Sequence, residues 1–363
     1  MNIKRYYMKL YNKEHVFIDD LEVFSNLKYT HTLNGMGSMT FNININYLNS
    51  KFIQLALGQH IELYKVDNSN EEHLLWYGVI NTPSPTKIEV YVTCLGYASL
   101  LQNRKFTDIE LNSENKWKYT YSNKTYGKLI FDLINRINNI YPTSIELGSN
   151  IDTYLKTERV IDWNDDLYDK IQEFIEDSNC YFTVDKDRKF NFYKELGEDK
   201  SDYYEIFDYN INDNYDYTID QSQIINVVHA RTMVTHGEGD DEYEEAIIVN
   251  TQDNNSINQY GYREAVVDLG NVTEQTTAQN MVDEYLNTYK EPLVSLRLKV
   301  GICDTFNIFD INVGDYILLN SETYAINKKI RVMEYTVDLH SNTVDITLGN
   351  TIFRDSMPKI YRY

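Results

Sequence analysis

Cysteine is scarce. Cys94, Cys180 and Cys303 stand far apart in a chain of 363 residues. An odd, scattered set without a Cys-x-x-Cys or a Cys/His pair supports neither a disulfide framework nor a zinc site, so the thiols read as reduced and mostly buried. Catalytic signatures are missing too. There is no HExxH, GxSxG, P-loop or GxGxxG, which leaves zinc-peptidase, hydrolase and nucleotide-binding readings without an anchor. His31, His60 and His73 are scattered, and His229 and His236 are too far apart for a helical ligand pair. No residue is singled out as catalytic, cofactor-binding or metal-ligating, and no cofactor is expected. No apolar run approaches a membrane span. The start, Met1-Asn2-Ile3-Lys4-Arg5, runs into polar, Tyr-rich sequence without the apolar core of a signal peptide. Basic residues are outnumbered, 34 against 55 acidic, for a net charge of −21. Sequence-reading of nucleic acid needs a basic face and is argued against. The acidity fits a soluble surface, or a lumen along which a polyanion slides without sticking.

What is present is an internal echo. One stretch opens Leu57-Gly58-Gln59-His60-Ile61-Glu62-Leu63 and closes Val90-Tyr91-Val92-Thr93-Cys94-Leu95-Gly96. A later one opens Val313-Gly314-Asp315-Tyr316-Ile317-Leu318-Leu319 and closes Thr343-Val344-Asp345-Ile346-Thr347-Leu348-Gly349. The glycines are 38 residues apart in the first and 35 in the second. An alternating strand leads each copy, Phe41, Ile43 and Ile45 in one and Leu296, Leu298 and Val300 in the other, with 17 residues from Phe41 to Gly58 and 18 from Leu296 to Gly314. Three landmarks in register predict two small β-barrels of one design, with Phe41, Ile43, Ile45, Ile317 and Leu319 facing their cores.

The rest of the chain follows from local pattern. Asn34-Gly35-Met36-Gly37 reads as a turn before the alternating run 39–47. A short helix is expected over 47–56, and one helical turn over 97–101. Pro83 and Pro85 mark 81–86 as a loop. Leu129, Ile130, Leu133, Ile134 and Ile137 recur at helical spacing, so 125–140 is an amphipathic helix that Pro142 ends. Asn164 or Asp165 is the expected N-cap of a second helix with Leu167, Ile171, Phe174 and Ile175 on its stripe. The runs 180–184 and 189–193 flank a hairpin turn over 185–188. Ile224-Ile225-Asn226-Val227-Val228 reads as a strand. Met281, Val282, Tyr285, Leu286 and Tyr289 mark a further helix, with Thr273 its cap and Pro292 its end. The fold class is mainly β with α+β insertions: two similar small β-barrels plus two smaller α/β domains. The expected division is 1–103 first barrel, 104–200 α/β insertion, 201–235 with 293–350 second barrel, and 236–292 with the tail 351–363 a further inserted α/β domain. With 363 residues, several domains are the natural outcome.

Candidate chemistry stays thin. The acidic loop 236–245 lacks the Asp/Asn ladder and closing Glu of a calcium hand and reads as a solvated loop. Trp117 and Trp163 are aromatic platforms suited to sugars, whereas Trp76 lies on an apolar strand and reads as core. A glycosidase needs two carboxylates facing a cleft, which sequence does not reveal.

The order barrel, α/β insertion, strand, insertion, second barrel resembles the tail hub proteins of long-tailed bacteriophages, including the N-terminal module of tail-associated lysins and the baseplate hubs of contractile tails. The residues that carry it are Asn34-Gly35-Met36-Gly37-Ser38-Met39-Thr40-Phe41, Trp76-Tyr77-Gly78-Val79-Ile80, Cys94-Leu95-Gly96-Tyr97-Ala98-Ser99-Leu100-Leu101 with Arg104, the helix–hairpin over 162–193, Val313-Gly314-Asp315-Tyr316-Ile317 and Val344-Asp345-Ile346-Thr347-Leu348-Gly349. The match spans nearly the whole chain through loose motifs whose weight is in their order and spacing. The resemblance implies a structural, non-enzymatic virion protein at the phage tail tip, assembled in the host bacterial cytoplasm. It implies a homotrimer whose six barrels ring a channel for DNA ejection and adapt a sixfold tube to a threefold tip. Implied partners are distal tail or tail tube ring proteins, a tail tip, spike or fibre protein, and the tape measure protein and DNA passing through the lumen, with no membrane-spanning segment. The sequence stops at Tyr363 without a peptidase, muramidase or fibre segment, so cell-wall cleavage is expected of another protein. Two other classes stay open: a β-rich host-receptor or carbohydrate-binding adhesin, and a cell-wall hydrolase.

Overall fold

The computed structural model describes residues 5–111, 117–151, 156–211, 216–236, 243–269, 275–303, 306–322 and 326–349. Most of the acidic loop 236–245, the expected cap Thr273 and the tail with Arg354, Lys359 and Arg362 lie outside them. The chain is mainly β. Its first part holds β1 (Arg5–Tyr11), β2 (Phe17–Leu21), β3 (Ser25–Thr32), β4 (Ser38–Asn44), α1 (Ile45–Ser50), β5 (His60–Val66), β6 (Glu72–Pro85) and β7 (Glu89–Leu95). There follow β8 (Lys118–Thr125), α2 (Tyr126–Ile140), β9 (Glu146–Ile151), β10 (Lys156–Asp162), α3 (Leu167–Ser178), β11 (Tyr181–Val184) and β12 (Lys189–Tyr193). The second half holds β13 (Glu205–Phe207), β14 (Asp216–Asp220), β15 (Val227–His236), β16 (Tyr243–Gln252), α4 (Asn254–Tyr260), β17 (Glu264–Asp268), α5 (Gln275–Tyr289), β18 (Leu293–Gly301), β19 (Tyr316–Ser321), β20 (Ile326–Asp338) and β21 (Thr343–Gly349).

The echo is a repeat of topology. In the first run the neighbours are β3-β4-β7-β6-β5-β1, and in the second β14-β18-β21-β20-β19-β13. The orders match strand for strand, although β1 meets β5 antiparallel and β13 meets β19 parallel. Both runs also carry a β-bulge at the same place, between Ile80 and Thr82 in β6 and between Val332 and Glu334 in β20. The pairing corrects the sequence register in two places. Leu95, not Gly96, is the counterpart of Gly349, because they oppose Val79 and Arg331 at matching positions. Ser38 pairs with Leu95 and Ser295 with Gly349, so Phe41 corresponds to Leu298 and not to Leu296. The slip at Phe41 is of two residues, which keeps the same face inward, so the alternation does not expose it.

Closed barrels are not what the ladders draw. The runs are parts of one 13-stranded sheet. Among the described residues neither run returns to pair with its own first strand: the outer edge of β3 is taken by β20, and no strand pairs with the outer edge of β14. A strand whose edge is already paired cannot also close its own ring.

Burial follows the period of two. Phe41, Ile43, Ile317 and Leu319 are buried as expected, in one hydrophobic cluster that takes side chains from both runs. Ile45 is only half-buried, because it begins α1 rather than extending β4. Trp76 is core. A second cluster lies between α2, α3 and the strands that follow, and includes the stripes read from the sequence. The cap of α3 is Asp166 rather than Asn164 or Asp165; its carboxylate accepts the Tyr168 N–H. A third cluster packs α5 on a separate sheet, β16-β15-β17. The apolar segment 224–228 thus leads into this sheet, instead of completing the second barrel within 201–235. Ile225 and Val228 share the third cluster with Val282, Leu286 and Tyr289 of α5. Cys94 and Cys180 are buried and Cys303 is exposed, a departure for the third thiol.

Candidate functional site

Both runs make the same turn into their central strand. Gly58 and Gly314 have φ of +76° and +98°, a conformation that side chains with a Cβ rarely adopt. Each donates its N–H to the residue before the bulge, Gly58 to Ile80 C=O at 2.8 Å and Gly314 to Val332 C=O at 2.7 Å. The next residue closes the loop behind it. Gln59 Oε1 accepts the Ala56 N–H at 2.8 Å, and Asp315 Oδ2 accepts the Asn312 N–H at 2.8 Å. In the second run this group does more. The Asp315 carboxylate is buried, takes the Glu198 N–H at 2.8 Å, and pairs with Lys200 Nζ at 2.9 Å. It fastens the incoming chain from β12 alongside β19.

The runs meet the α/β insertion at equivalent positions. Val79 of β6 packs into the insertion's core. Its counterpart Arg331 is buried, with Nε donating to Gly314 C=O at 2.9 Å, further bonds to Tyr181 Oη and Leu196 C=O, and its guanidinium 4.1 Å from the Tyr181 ring centre. Asn34 of the Asn-Gly-Met-Gly turn is also buried. Its Nδ2 donates to Cys180 C=O at 3.1 Å, its Oδ1 accepts the Phe182 N–H at 2.8 Å, and Gln172 donates to its carbonyl at 2.8 Å. A turn read as a simple hairpin reversal is thus a pin into the hairpin β11–β12. Neither Asn34 nor Arg331 announced this role in sequence; a polar residue on an apolar strand was the available signal for Arg331.

A cavity of about 530 Å³ lies where these parts converge, lined by His31, Asn34, Trp76, Tyr97, Glu198 and Asp315 among others. Several of its polar groups are already engaged, those of His31, Asn34 and Asp315 among them. His31 Nε2 lies 2.8 Å from Leu75 C=O, and burial lowers the imidazole's basicity. No nucleophile–base pair faces the space among the described residues. Beside it, Glu62 accepts the hydroxyls of Tyr11 at 2.8 Å and Tyr64 at 2.7 Å. Tyr97 Oη lies 3.3 Å from His60 Nδ1 and 3.4 Å from His15 Nε2. Burial pushes His60 down to about 4 and raises the Tyr97 phenol. Both groups thus stay neutral at pH 7 and serve packing.

Asp67, Glu71 and His73 bring ligand atoms within 4.8 Å of one another. The carboxylate of Asp67 is occupied in holding its own turn, through the Ser69 and Glu71 N–H groups at 2.8 and 2.9 Å and His73 at 3.1 Å. Of the tryptophans, Trp117 and Trp163 are brought together. Trp163 N–H donates to Trp117 C=O at 3.1 Å, and both side chains are about half exposed. Among the described residues no helix is long and apolar enough to cross a membrane.

With this geometry in hand, the fold is similar to that of phage and prophage tail proteins of known structure. A prophage tail protein gp18 from Listeria monocytogenes EGD-e is similar at TM-score 0.60 and 13% identity, over 96% of this chain and 94% of its own. The 43 kDa tail protein of prophage MuSo2 from Shewanella oneidensis is similar at 0.59 and 12%, over 95% and 97%. A tail protein from Neisseria meningitidis MC58 is similar at 0.57 and 12%, over 98% and 100%. No protein-family model and no curated protein sequence matches the chain.

Proposed function

We propose that the chain is a structural hub protein of a phage tail, three copies of which form one ring at the distal end of the tail tube. The observation that carries this is the repeat: one chain holds two runs of six strands paired in the same order and joined by one seam. Two like units per chain and three chains give six units, which suits a sixfold tube above and a threefold tip below. In this reading each run curls into a barrel-like unit, with the α/β insertion 104–200 and the sheet of β15, β16 and β17 outside or below the ring. The acidic excess lines part of the channel and keeps DNA from binding as it leaves. Neighbours are the distal tail or tube ring proteins, a tip, spike or fibre protein, and the tape measure protein in the lumen. The chain works without enzymatic activity in the virion. The mass of the purified chain by light scattering, with class averages of the assembled tip by electron microscopy, tests the reading. Trimers with six similar lobes are expected; a monomer in the native tip, or a ring of six copies, defeats it.

The exposed Trp117–Trp163 pair favours one second reading, a tail adhesin that stacks its aromatic rings on a carbohydrate. Binding of host glycans by the purified chain, lost on Trp163→Ala, would support it; the hub reading expects no such binding.

A further inference from the structure

The seam between the runs is an antiparallel ladder, Lys28–Thr32 of β3 against Glu334–Asp338 of β20. Just beyond it Leu33 N–H donates to Met333 C=O at 2.9 Å, and Leu339 N–H to Leu27 C=O at 3.1 Å. In an antiparallel ladder the N–H and C=O of one residue point to the same side, and successive residues alternate. Residues 333 and 339 face β3, so Tyr335 and Val337 between them also turn their N–H groups to β3.

The first run has the same segment in the same register. Ile80 N–H donates to Gln59 C=O at 2.8 Å, as Val332 N–H does to Asp315 C=O, and the bulge follows in both. Counting on from the bulge, Tyr335 corresponds to Pro83 and Val337 to Pro85. Proline has no N–H. Two of the five prolines of the chain therefore occupy the two positions whose donors build the seam in the other run. The positions that face β7, Thr82 and Ser84, are not proline, so the ladder on that side is kept. Among the described residues no strand lies on the outer side of β6 over Thr82–Pro85, nor on the outer side of β14, the counterpart of β3. Both prolines lie inside β6 rather than in the loop expected over 81–86.

We propose that Pro83 and Pro85 close the edge of β6 against strand addition by β14 of a second copy. Copies that meet at this edge do so through side chains and carbonyl oxygens, not through a continued ladder. The β3–β20 ladder is then made once, within each chain. Without the prolines, each chain would offer a β14 edge and a matching β6 edge, the head-to-tail arrangement that extends without limit unless its rotation closes. Proline on an edge strand is a known means of blunting it. The inference stands apart from the ring reading, because a chain that never forms a ring would still need this edge closed.

The test is the full-length double variant Pro83→Thr/Pro85→Val, which restores both donors with strand-favouring residues. It is compared with the wild type by sedimentation velocity across a hundredfold concentration range and by amide hydrogen exchange. The variant is expected to form a concentration-dependent series of larger species, with exchange at the outward-facing amides of 217 and 219 slowed tenfold or more against the wild type, and exchange at the new amides of 83 and 85 slowed tenfold or more between the lowest and highest concentration. The wild type is expected to show neither. A folded double variant with the wild-type sedimentation profile and no slowing at those amides overturns the proposal, as does aggregation without it. If the double variant does not fold, Pro83→Ala and Pro85→Ala, each restoring one donor, are read by the same two measures. Wild-type behaviour in both of these single variants likewise overturns it.

Discussion

Asp315 is the most informative single side chain to change. Its carboxylate is buried and holds two backbone N–H groups and the Lys200 ammonium at 2.8 to 2.9 Å. Asp315→Ala removes all three contacts at once. A hydrogen bond to a charged group contributes about 1.5–3 kcal/mol, and a buried donor left without a partner costs about 1–3 kcal/mol. These contributions overlap, so a total of roughly 3–5 kcal/mol is expected, the range found when one member of a buried pair is removed. Asp315→Asn is sterically mild, but its Nδ2 must face either an N–H or the ammonium. It should cost about 2–3 kcal/mol. A chain with three separate hydrophobic clusters need not unfold in one step, so a single melting temperature is a poor readout. Amide exchange measures the local opening directly. In Asp315→Ala the amides of Glu198, Asn312 and Tyr316 should exchange at least about a hundredfold faster, since 1.4 kcal/mol corresponds to tenfold. Lys200→Met, which leaves both N–H bonds in place, should give a much smaller change. Unchanged exchange at those amides in Asp315→Ala would refute the reasoning. So would an equal effect from Lys200→Met, which would assign the strength of the joint to the ion pair alone.

Two further outcomes follow from the same geometry. Leu298→Ala and Phe41→Ala, at equivalent buried positions of the two runs, should each destabilise by roughly 2–5 kcal/mol in urea titration, and a loss below about 0.5 kcal/mol at both would show the inward faces to be misassigned. His60 is held near 4 in the folded chain against 6.5 when unfolded, so the unfolded state binds the extra proton first. The stabilisation is therefore full above pH 6.5 and falls as pH drops toward 4, by up to about 3 kcal/mol at roughly 1.4 per pKa unit. His60→Gln should flatten that slope between pH 6.5 and 4, and a slope equal to that of the wild type would contradict the assignment.

The sequence carried the repeat because alternation and a glycine are local consequences of backbone geometry. A strand with one buried face must alternate, and a turn with positive φ selects glycine, so Phe41, Ile43, Ile317, Leu319, Gly58 and Gly314 were readable without coordinates. Register was readable only to within two residues, because a shift of two returns the same face. The two amphipathic helices α2 and α3 were legible for the same local reason. What pairs across the chain was not. The β3–β20 seam, the Asn34 pin and the Arg331 clamp depend on partners up to about three hundred residues away, and a lone polar residue does not name its partner. The Pro83 and Pro85 segment has the local pattern of a loop, since proline usually ends strands. It is a strand whose missing donors matter only when the other run is laid beside it.

The pattern of what the two runs share and what they do not is itself a physical argument. The shared features sit where one backbone path leaves few choices. These are the positive-φ glycine, the side-chain acceptor that follows it, and the bulge that lets β6 and β20 change neighbours along their length. The differences lie at the outer rims. Val79 is apolar where the first run meets an apolar core, while Arg331 is cationic where the second meets two carbonyls and a phenol. Gln59 supplies one acceptor oxygen, and Asp315 supplies two that serve two N–H groups and an ammonium. Pro83 and Pro85 refuse a strand where Tyr335 and Val337 receive one. A duplicated unit can keep its interior and still take a distinct neighbour on each side, because the positions that meet those neighbours can differ while the shared core stays the same. The proposed ring, with two like units alternating around one axis, calls for that combination: common cores, so that they tile, and unlike edges, so that each joins only its proper neighbour.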